Sequence, residues 1–108
     1  MSETELVLSV LGRLAFDRHV FAWRNNTGAF RRGKRMIQFG KVGSPDILAI
    51  LWPGGRLVGL ECKVGANAMS EEQREFADKL RRVGGYYAVI RSVEDAERHI
   101  ASAKLGAR

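Results

Sequence analysis

The sequence has little that would support a cross-linked, zinc-bound or membrane-spanning protein. Its single cysteine excludes an intrachain disulfide, and no cluster of cysteine and histidine offers a zinc site. No apolar run approaches the roughly 18 residues of a membrane span, and no signal-peptide apolar region is found near the amino end. Internal repeats and low-complexity tracts are also missing. These absences favour a protein of the reducing cytoplasm that is neither exported nor inserted in a membrane.

Acidic residues are missing from one long segment. The chain has 18 basic and 12 acidic residues, a formal net charge of +6, yet no acid lies between Asp17 and Asp46. The basic residues of that segment are Arg18, Arg24, Arg31, Arg32, Lys34, Arg35 and Lys41. A cation placed on a phosphate releases condensed counterions, so the segment predicts contact with a polyanion. The alternative is a solvated basic hairpin without a partner.

The residues that are present suffice for one compact domain, residues 1–108, in which 45% of the residues are hydrophobic. The apolar spacing predicts a first helix from about Thr4 to Asp17. A second helix begins after a capping box of Ser70 and Gln73 and ends at Gly84-Gly85, and a third spans about Ser92 to Ala103. The predicted inward residues are Leu6, Val7, Val10, Leu11 and Leu14, then Phe76, Ala77, Leu80 and Val83, then Val93, Ala96 and Ile100.

Four strands and a less regular segment fill the remaining chain. Aromatic and β-branched residues predict strands at Val20–Arg24, Asp46–Trp52, Arg56–Lys63 and Tyr86–Arg91. We expect Ala29–Phe39 to form a strand or an irregular basic hairpin. The predicted order is α-β-β-β-α-β-α, which is an α/β fold with a sheet flanked by helices.

Three charged residues lie at the ends of the two strands that a Pro-Gly-Gly turn joins. Strand alternation points Glu61 and Lys63 to one face and Cys62 to the other. Antiparallel pairing across the turn would bring Asp46 close to Glu61. Converging carboxylates are usually held by a hard divalent cation, and a lysine beside them orients or deprotonates a water. The alternative is a solvated charge pair without function.

The apolar run Ile47–Trp52 argues against that alternative. An unbroken apolar run predicts a strand that is covered on both faces. Charged side chains at the ends of such a buried sheet therefore indicate a function.

Five short segments, taken in order, resemble a known nuclease family. They are W-R-N-N-T-G, F-G-K-V-G, G-S-P-D, L-E-C-K and S-E-E-Q. Together they resemble the VRR-NUC group of the PD-(D/E)XK nuclease superfamily over about residues 3–95. The resemblance implies a restriction-endonuclease-like core with a central mixed sheet, and metal-dependent phosphodiesterase activity. Small stand-alone members of this family resemble structure-specific nucleases that act on branched DNA, such as four-way (Holliday) junctions, as homodimers.

The resemblance also implies roles for the charged residues. Asp46 and Glu61 would be direct ligands of Mg²⁺ or Mn²⁺, which take oxygen ligands and keep several waters. The backbone carbonyl of Cys62 would be a further ligand, although the family usually has an apolar β-branched residue there. Lys63 would position the attacking water or stabilise charge on the phosphate.

Two further residues of the site come from the family pattern alone. An acid on the first helix, Glu3 or Glu5, would complete the metal site through water, and the spacing favours Glu3. The alternative is that both acids only favour the helix dipole. Gln73 would face the site, or would serve only the capping box.

DNA contacts are expected from the basic segment and the turns beside it. These residues are Arg24, Asn26, Arg31, Arg32, Lys34, Arg35, Lys41 and Ser44. Asn26 and Gly28 resemble the N-x-G turn of the family, but both are also ordinary turn residues. Gly43 would let the backbone approach DNA, or would only make the turn. Two functional alternatives remain, namely a catalytically silent DNA-binding module, and the same chemistry acting on plain duplex DNA or RNA.

Overall fold

The protein is an α/β fold with three helices and a mixed sheet, and the computed structural model describes residues 1–108. The helices are α1 (Glu3–Leu14), α2 (Glu71–Arg82) and α3 (Val93–Lys104). The strands are β1 (Val20–Arg24), β2 (Gly28–Arg32), β3 (Arg35–Phe39), β4 (Ile47–Leu51), β5 (Arg56–Cys62) and β6 (Tyr86–Ile90). None of the helices combines the length and the apolar character that crossing a membrane requires.

The main sheet has the strand order β1-β4-β5-β6. β1, β4 and β5 are antiparallel neighbours, whereas β6 runs parallel to β5 because α2 provides the crossover between them. Leaving aside the separate β2–β3 hairpin, the element order is the predicted α-β-β-β-α-β-α. The mixed sheet flanked by helices is therefore confirmed.

The hydrophobic core lies between α1, α3 and one face of the main sheet. The central strands alternate, so every second side chain of β4 enters this core, beginning with Ile47 and ending with Leu51. From the helices come Leu6, Val7, Val10 and Leu14 of α1, and Ala96, Ile100 and Ala103 of α3. This packing fixes both strand register and helix position, because a slip of one residue would expose every core side chain of the strand.

The opposite face of the sheet is only partly covered. α2 packs its buried Ala77 and Leu80 over β5 and β6 against Tyr87. No helix covers β1 and β4 on this side, so Phe21 of β1 is 67% exposed and Leu48 and Ile50 of β4 are only half-buried. The prediction that Ile47–Trp52 is covered on both faces is therefore wrong. A single helix about 10 Å across spans only two strands spaced about 4.8 Å apart.

Two helix predictions also need correction. α1 ends at Leu14 rather than near Asp17, because the following residues form tight turns in which Asp17 accepts a hydrogen bond from the His19 amide. Val83 was expected on the buried face of α2, but it caps the carboxyl end of the helix and is 82% exposed. The caps Ser70 and Ser92 are confirmed.

The predicted basic hairpin is present and begins one residue earlier than expected. Residues 28–39, here called the basic hairpin, form a two-stranded sheet in which β2 and β3 pair only with each other. Every residue of β2 is exposed, and Ile37 is the only half-buried residue of β3. The basic hairpin therefore contributes nothing to either core cluster.

Candidate functional site

The pairing of β4 with β5 brings the predicted carboxylates together. Ile47 lies opposite Leu60, so Asp46, just before β4, lies beside Glu61 near the end of β5. The Cys62 amide donates a hydrogen bond of 2.8 Å to Asp46 Oδ2, which ties the Asp46 side chain to the neighbouring strand. The sequence prediction of this convergence is confirmed. Asp46, Glu61 and Lys63, together with the Cys62 backbone, are here called the carboxylate site.

Glu61 is the one acidic or basic side chain that is buried in the protein. It is 3% exposed, and its Oε2 atom has no hydrogen-bond partner. Burial, a hydrogen bond with Asp46 and the charge of Asp46 together raise the pKa of Glu61 to about 9. At neutral pH and without a cation, this carboxyl therefore holds its proton. A buried carboxylic acid with a free oxygen beside a second carboxylate is costly to keep, so it calls for an explanation.

Lys63 and Cys62 occupy opposite sides of the strand end, as predicted. Lys63 is half-buried and forms no ion pair within 4 Å, yet its charge lowers the pKa of Glu61 and so opposes the larger effect of burial. The Cys62 side chain lies in the core, and burial raises the pKa of its thiol to about 12, so the thiol is not a nucleophile. Since the N–H and C=O of one strand residue point to the same side, the Cys62 carbonyl also faces the Asp46 side.

The two acids of α1 have different environments. Glu3 is half-buried and accepts a hydrogen bond from the Asn67 side chain, and its charge raises the pKa of Glu61. Glu5 is turned to the start of the helix, where it forms a capping box with Ser2. These hydrogen bonds lower the pKa of Glu5. Of the two acids, only Glu3 has its charge within electrostatic range of the carboxylate site.

The amide of Gln73 serves the capping box of α2. Its Oε1 accepts from the Ser70 amide at 2.9 Å, and its backbone N–H donates to the Ser70 hydroxyl. The first turn of α2 also lies against the loop before β4. A side chain at Gly43 would meet the Glu72 carbonyl oxygen at 2.3 Å, and Gly43 has a φ of +82°. Gly43 therefore allows close contact between that loop and α2.

Asn25 anchors the same loop, although the sequence pattern pointed to Asn26 instead. Its side-chain amide donates to the Ser44 hydroxyl at 2.7 Å and to the Pro45 carbonyl at 2.9 Å. Its backbone N–H donates to the Asp46 carbonyl at 2.7 Å. Asn26 is exposed and its side chain makes no hydrogen bond within the protein. The position of Asn25 directly after β1 was the available signal, because β1 ends beside the start of β4.

A second anchor holds the loop between β5 and α2. The Arg91 guanidinium donates to the carbonyls of Gly65 at 2.8 Å and Asn67 at 2.9 Å. Asn67 in turn donates to Glu3. No sequence motif pointed to a functional role for Arg91 or Asn67. Arg91 had a signal, because β5 and β6 are parallel and their carboxyl ends lie at one edge of the sheet.

The basic residues of the acid-free segment do not form one surface. Arg31, Arg32, Lys34 and Arg35 lie on the exposed basic hairpin. Arg24 lies opposite Ile47 at the end of β1, and Lys41 is in the loop that leads to Asp46. Arg18 precedes β1 and so lies at the opposite end of that strand. None of these side chains forms an ion pair with an acid.

The chemistry of the carboxylate site fits a hard divalent cation. The protein has no group of three or more acidic, histidine or cysteine side chains close enough to hold a metal ion. Two carboxylates and one backbone carbonyl would therefore be the direct protein donors, and they leave positions for the waters that Mg²⁺ retains. Glu61 Oε2 is a buried oxygen without a partner in the protein, and a bound cation would provide one. A cation there would displace the proton that burial places on Glu61.

Comparison of the chain with models of protein families found no match, and a search among curated proteins found none either. The resemblance described above therefore rests on the five motifs and on their order.

Proposed function

We propose that the protein is a metal-dependent DNA endonuclease with a PD-(D/E)XK core, which hydrolyses phosphodiester bonds in branched DNA. The observation that carries the proposal is the pairing of Asp46 with the buried, incompletely bonded Glu61, beside a lysine that forms no ion pair. If these side chains served only the stability of the fold, Lys63 would be expected to form a salt bridge with one of the two acids. Here the two acids face each other and the lysine remains available.

Each residue of the carboxylate site has a distinct task in this proposal. Asp46, Glu61 and the Cys62 carbonyl would hold Mg²⁺ or Mn²⁺, and Glu3 would contribute through water. When bound, the ion would lower the pKa of a water and neutralise charge on the phosphate. Lys63 orients that water or stabilises the phosphate, because its ammonium lies close enough to Glu61 to affect its pKa. Gln73 is a weaker candidate, since its amide oxygen is already used in the capping box.

The basic hairpin supplies the DNA contacts in the proposal. Its four cations are exposed and unpaired, so they can be placed on phosphates without breaking interactions of the protein. The hairpin joins the rest of the chain just before the loop that carries Lys41 and Ser44. It therefore links phosphate binding to the loop that positions Asp46.

A second copy of the chain is the partner that we propose. β1 is an edge strand, and a groove of about 300 Å³ between it and α1 has an entirely apolar lining. The lining residues are Leu11, Leu14, Ala15, Val20, Phe21, Ala22 and Trp23. Antiparallel pairing of β1 with its own copy is two-fold symmetric, and no charged side chain of this lining would oppose it. Sedimentation equilibrium distinguishes the resulting dimer from a monomer.

The deciding experiment incubates the purified protein with Mg²⁺ or Mn²⁺ and four-way junction, flap, duplex and single-stranded DNA, and with RNA. We expect metal-dependent cleavage that is fastest on the junction and that EDTA stops. Asp46→Asn, Glu61→Gln and Lys63→Ala should each lower the rate at least about 100-fold with the fold intact. Because these residues act as a unit, a double variant should be little worse than a single one.

The control variant is Asp78→Asn, which removes an exposed acid of α2 whose only ion pair is with Arg81 at 3.9 Å. Its cleavage rate should equal that of the wild type. Binding of junction DNA without cleavage under any metal would favour the silent binding module instead. A wild-type rate in Glu61→Gln at saturating Mg²⁺ would contradict the assignment of the carboxylate site.

A further inference from the structure

Two buried side-chain atoms in the whole protein lack a hydrogen-bond partner. One is Glu61 Oε2, and the other is the hydroxyl of Tyr87, which is 4% exposed. A buried hydroxyl without a hydrogen-bond partner is destabilising, because it has lost its water partners and gained none in the protein. Because buried polar atoms are nearly always hydrogen-bonded, the two unpaired atoms of this domain indicate a common cause.

Strand register places the two side chains on the same face of the sheet. Glu61 lies opposite Val89 and Tyr87 lies opposite Gly59 in the parallel pairing of β5 with β6. Tyr87 and Glu61 are therefore diagonal neighbours, a separation that a long aromatic side chain can bridge. Both lie on the face that α2 covers, opposite the main core.

Gly59 provides the room for the ring of Tyr87. A side chain at Gly59 would meet Tyr87 Cδ2 at 3.3 Å, Leu80 Cδ2 at 3.3 Å and Pro45 Cγ at 2.7 Å. The ring thus lies across β5 in the direction of Pro45, the residue before Asp46. The ring therefore lies over the face of β5 that also carries Glu61, two residues beyond Gly59.

Two side chains of α2 lie beside the ring of Tyr87. The centroid of Phe76 lies 6.5 Å from that of Tyr87, and the Arg81 guanidinium carbon lies 5.7 Å from the Tyr87 centroid. A phenol hydroxyl is protonated at neutral pH and is therefore a hydrogen-bond donor, which is what a carboxylate oxygen requires.

We propose that Tyr87 is a positioning residue of the carboxylate site, whose hydroxyl donates a hydrogen bond to the Glu61 carboxylate and fixes its orientation when a divalent cation is bound. This inference rests on the proposed metal site. Groups that orient a metal ligand in this way change metal affinity by about 10–100-fold when they are removed. Tyr87 does not touch the cation or the DNA, because its side chain is covered by α2.

The test measures Mn²⁺ binding to the full protein without DNA, by isothermal titration calorimetry and by electron paramagnetic resonance of the bound ion. Tyr87→Phe keeps the ring and removes only the hydroxyl. We expect it to weaken Mn²⁺ binding at least about tenfold and to leave thermal stability unchanged or raised, since a buried unpaired hydroxyl is removed. Introduced into Glu61→Gln, the same change should leave the residual Mn²⁺ affinity unaltered.

The matched control is Tyr86→Phe, one residue away and on the other face of the sheet. The Tyr86 hydroxyl bonds to the His99 ring at 2.6 Å, so its removal should lower stability without altering Mn²⁺ binding. If wild type binds Mn²⁺ and Tyr87→Phe binds it equally well, the role of Tyr87 is wrong while the metal site stands. If wild type binds no Mn²⁺, the proposed metal site is wrong, and the role of Tyr87 is wrong with it.

Discussion

The carboxylate site and the basic hairpin place their ionisable side chains in opposite environments. The carboxylate site lies at the ends of two central strands, where Glu61 is 3% exposed and Asp46 is tied to the Cys62 amide. The basic hairpin pairs only with itself, and its four cations are exposed and free of ion pairs. The first region places ionisable side chains where water is largely excluded, whereas the second exposes its cations to water.

This difference separates two kinds of function. Electrostatic interactions are strong in a buried site but costly to maintain, so geometry has to be held by packing and hydrogen bonds. Exposed cations cost little free energy and act through counterion release. Their contribution to DNA binding therefore depends on how many there are rather than on precise geometry. Substitutions in the two regions should therefore change different measured quantities.

The largest expected effect comes from removing the charge of the basic hairpin. The substitutions are Arg31→Gln, Arg32→Gln, Lys34→Gln and Arg35→Gln. The slope of log affinity against log salt should flatten by roughly 0.9 for each phosphate that is no longer neutralised, which amounts to roughly a thousandfold weaker DNA binding near 0.1 M salt if all four cations bind phosphates. Mn²⁺ binding should remain at the wild-type value. Fluorescence anisotropy over a range of salt concentrations and calorimetry measure the two quantities.

A charge-matched control separates local binding from overall charge. It neutralises four other cations, on α2, α3 and the carboxyl end, namely Lys79, Arg82, Arg98 and Arg108. Net charge falls by four in both variants, but only the hairpin variant should show a much flatter salt slope. Equally flattened slopes in the two variants would show that DNA responds to net charge and not to the basic hairpin.

The second effect concerns stability and belongs to the carboxylate site. The carboxyl of Glu61 has an ordinary pKa of 4.5, and in the folded protein its pKa is about 9. Between these values the folded state binds one more proton than the unfolded chain. The free energy of unfolding should therefore fall as pH rises, by at most about 1.4 kcal/mol per pH unit. Urea unfolding in EDTA between about pH 6 and pH 8 measures this slope.

Glu61→Gln should flatten that pH dependence, because the amide has no proton to lose. Glu94→Gln, which removes an exposed acid from the start of α3, should retain the wild-type slope. Parallel slopes for wild type and Glu61→Gln would mean that Glu61 is ionised in the folded protein. The difference in environment between the carboxylate site and the basic hairpin would then be smaller.

The smallest expected effect distinguishes the two acids of α1. Glu3→Gln removes a charge that acts on Glu61, and we expect cleavage to slow by about tenfold with little change in stability. Glu5→Gln removes a helix-end charge used in the capping box, and should lower stability slightly while leaving the rate unchanged. Cleavage assays at saturating Mg²⁺ and thermal unfolding by circular dichroism measure both. Equal rates in the two variants would mean that Glu3 does not contribute to the site.

Local patterns were sufficient for most of the fold. Val20–Arg24 has the predicted bounds, the serine caps of α2 and α3 are where the sequence placed them, and alternation put Cys62 in the core and Glu61 on the other face. These features depend on residues close in sequence, so periodicity and capping chemistry reveal them. Val83 shows the limit of such patterns. Apolar spacing predicts which side of a helix is buried, but not where the helix ends relative to the sheet that it covers.

The sequence alone determined that Asp46 and Glu61 meet, since one turn and strict alternation leave a two-stranded pairing little freedom. Only the tertiary structure decided which acid of α1 approaches them, how the loops are anchored, and that β4 has one open face. Asn25, Asn67, Tyr87 and Arg91 became visible only there. Their contacts join elements that are distant along the chain. Such contacts depend on how the helices pack against the sheet in three dimensions, and no local sequence pattern encodes that packing.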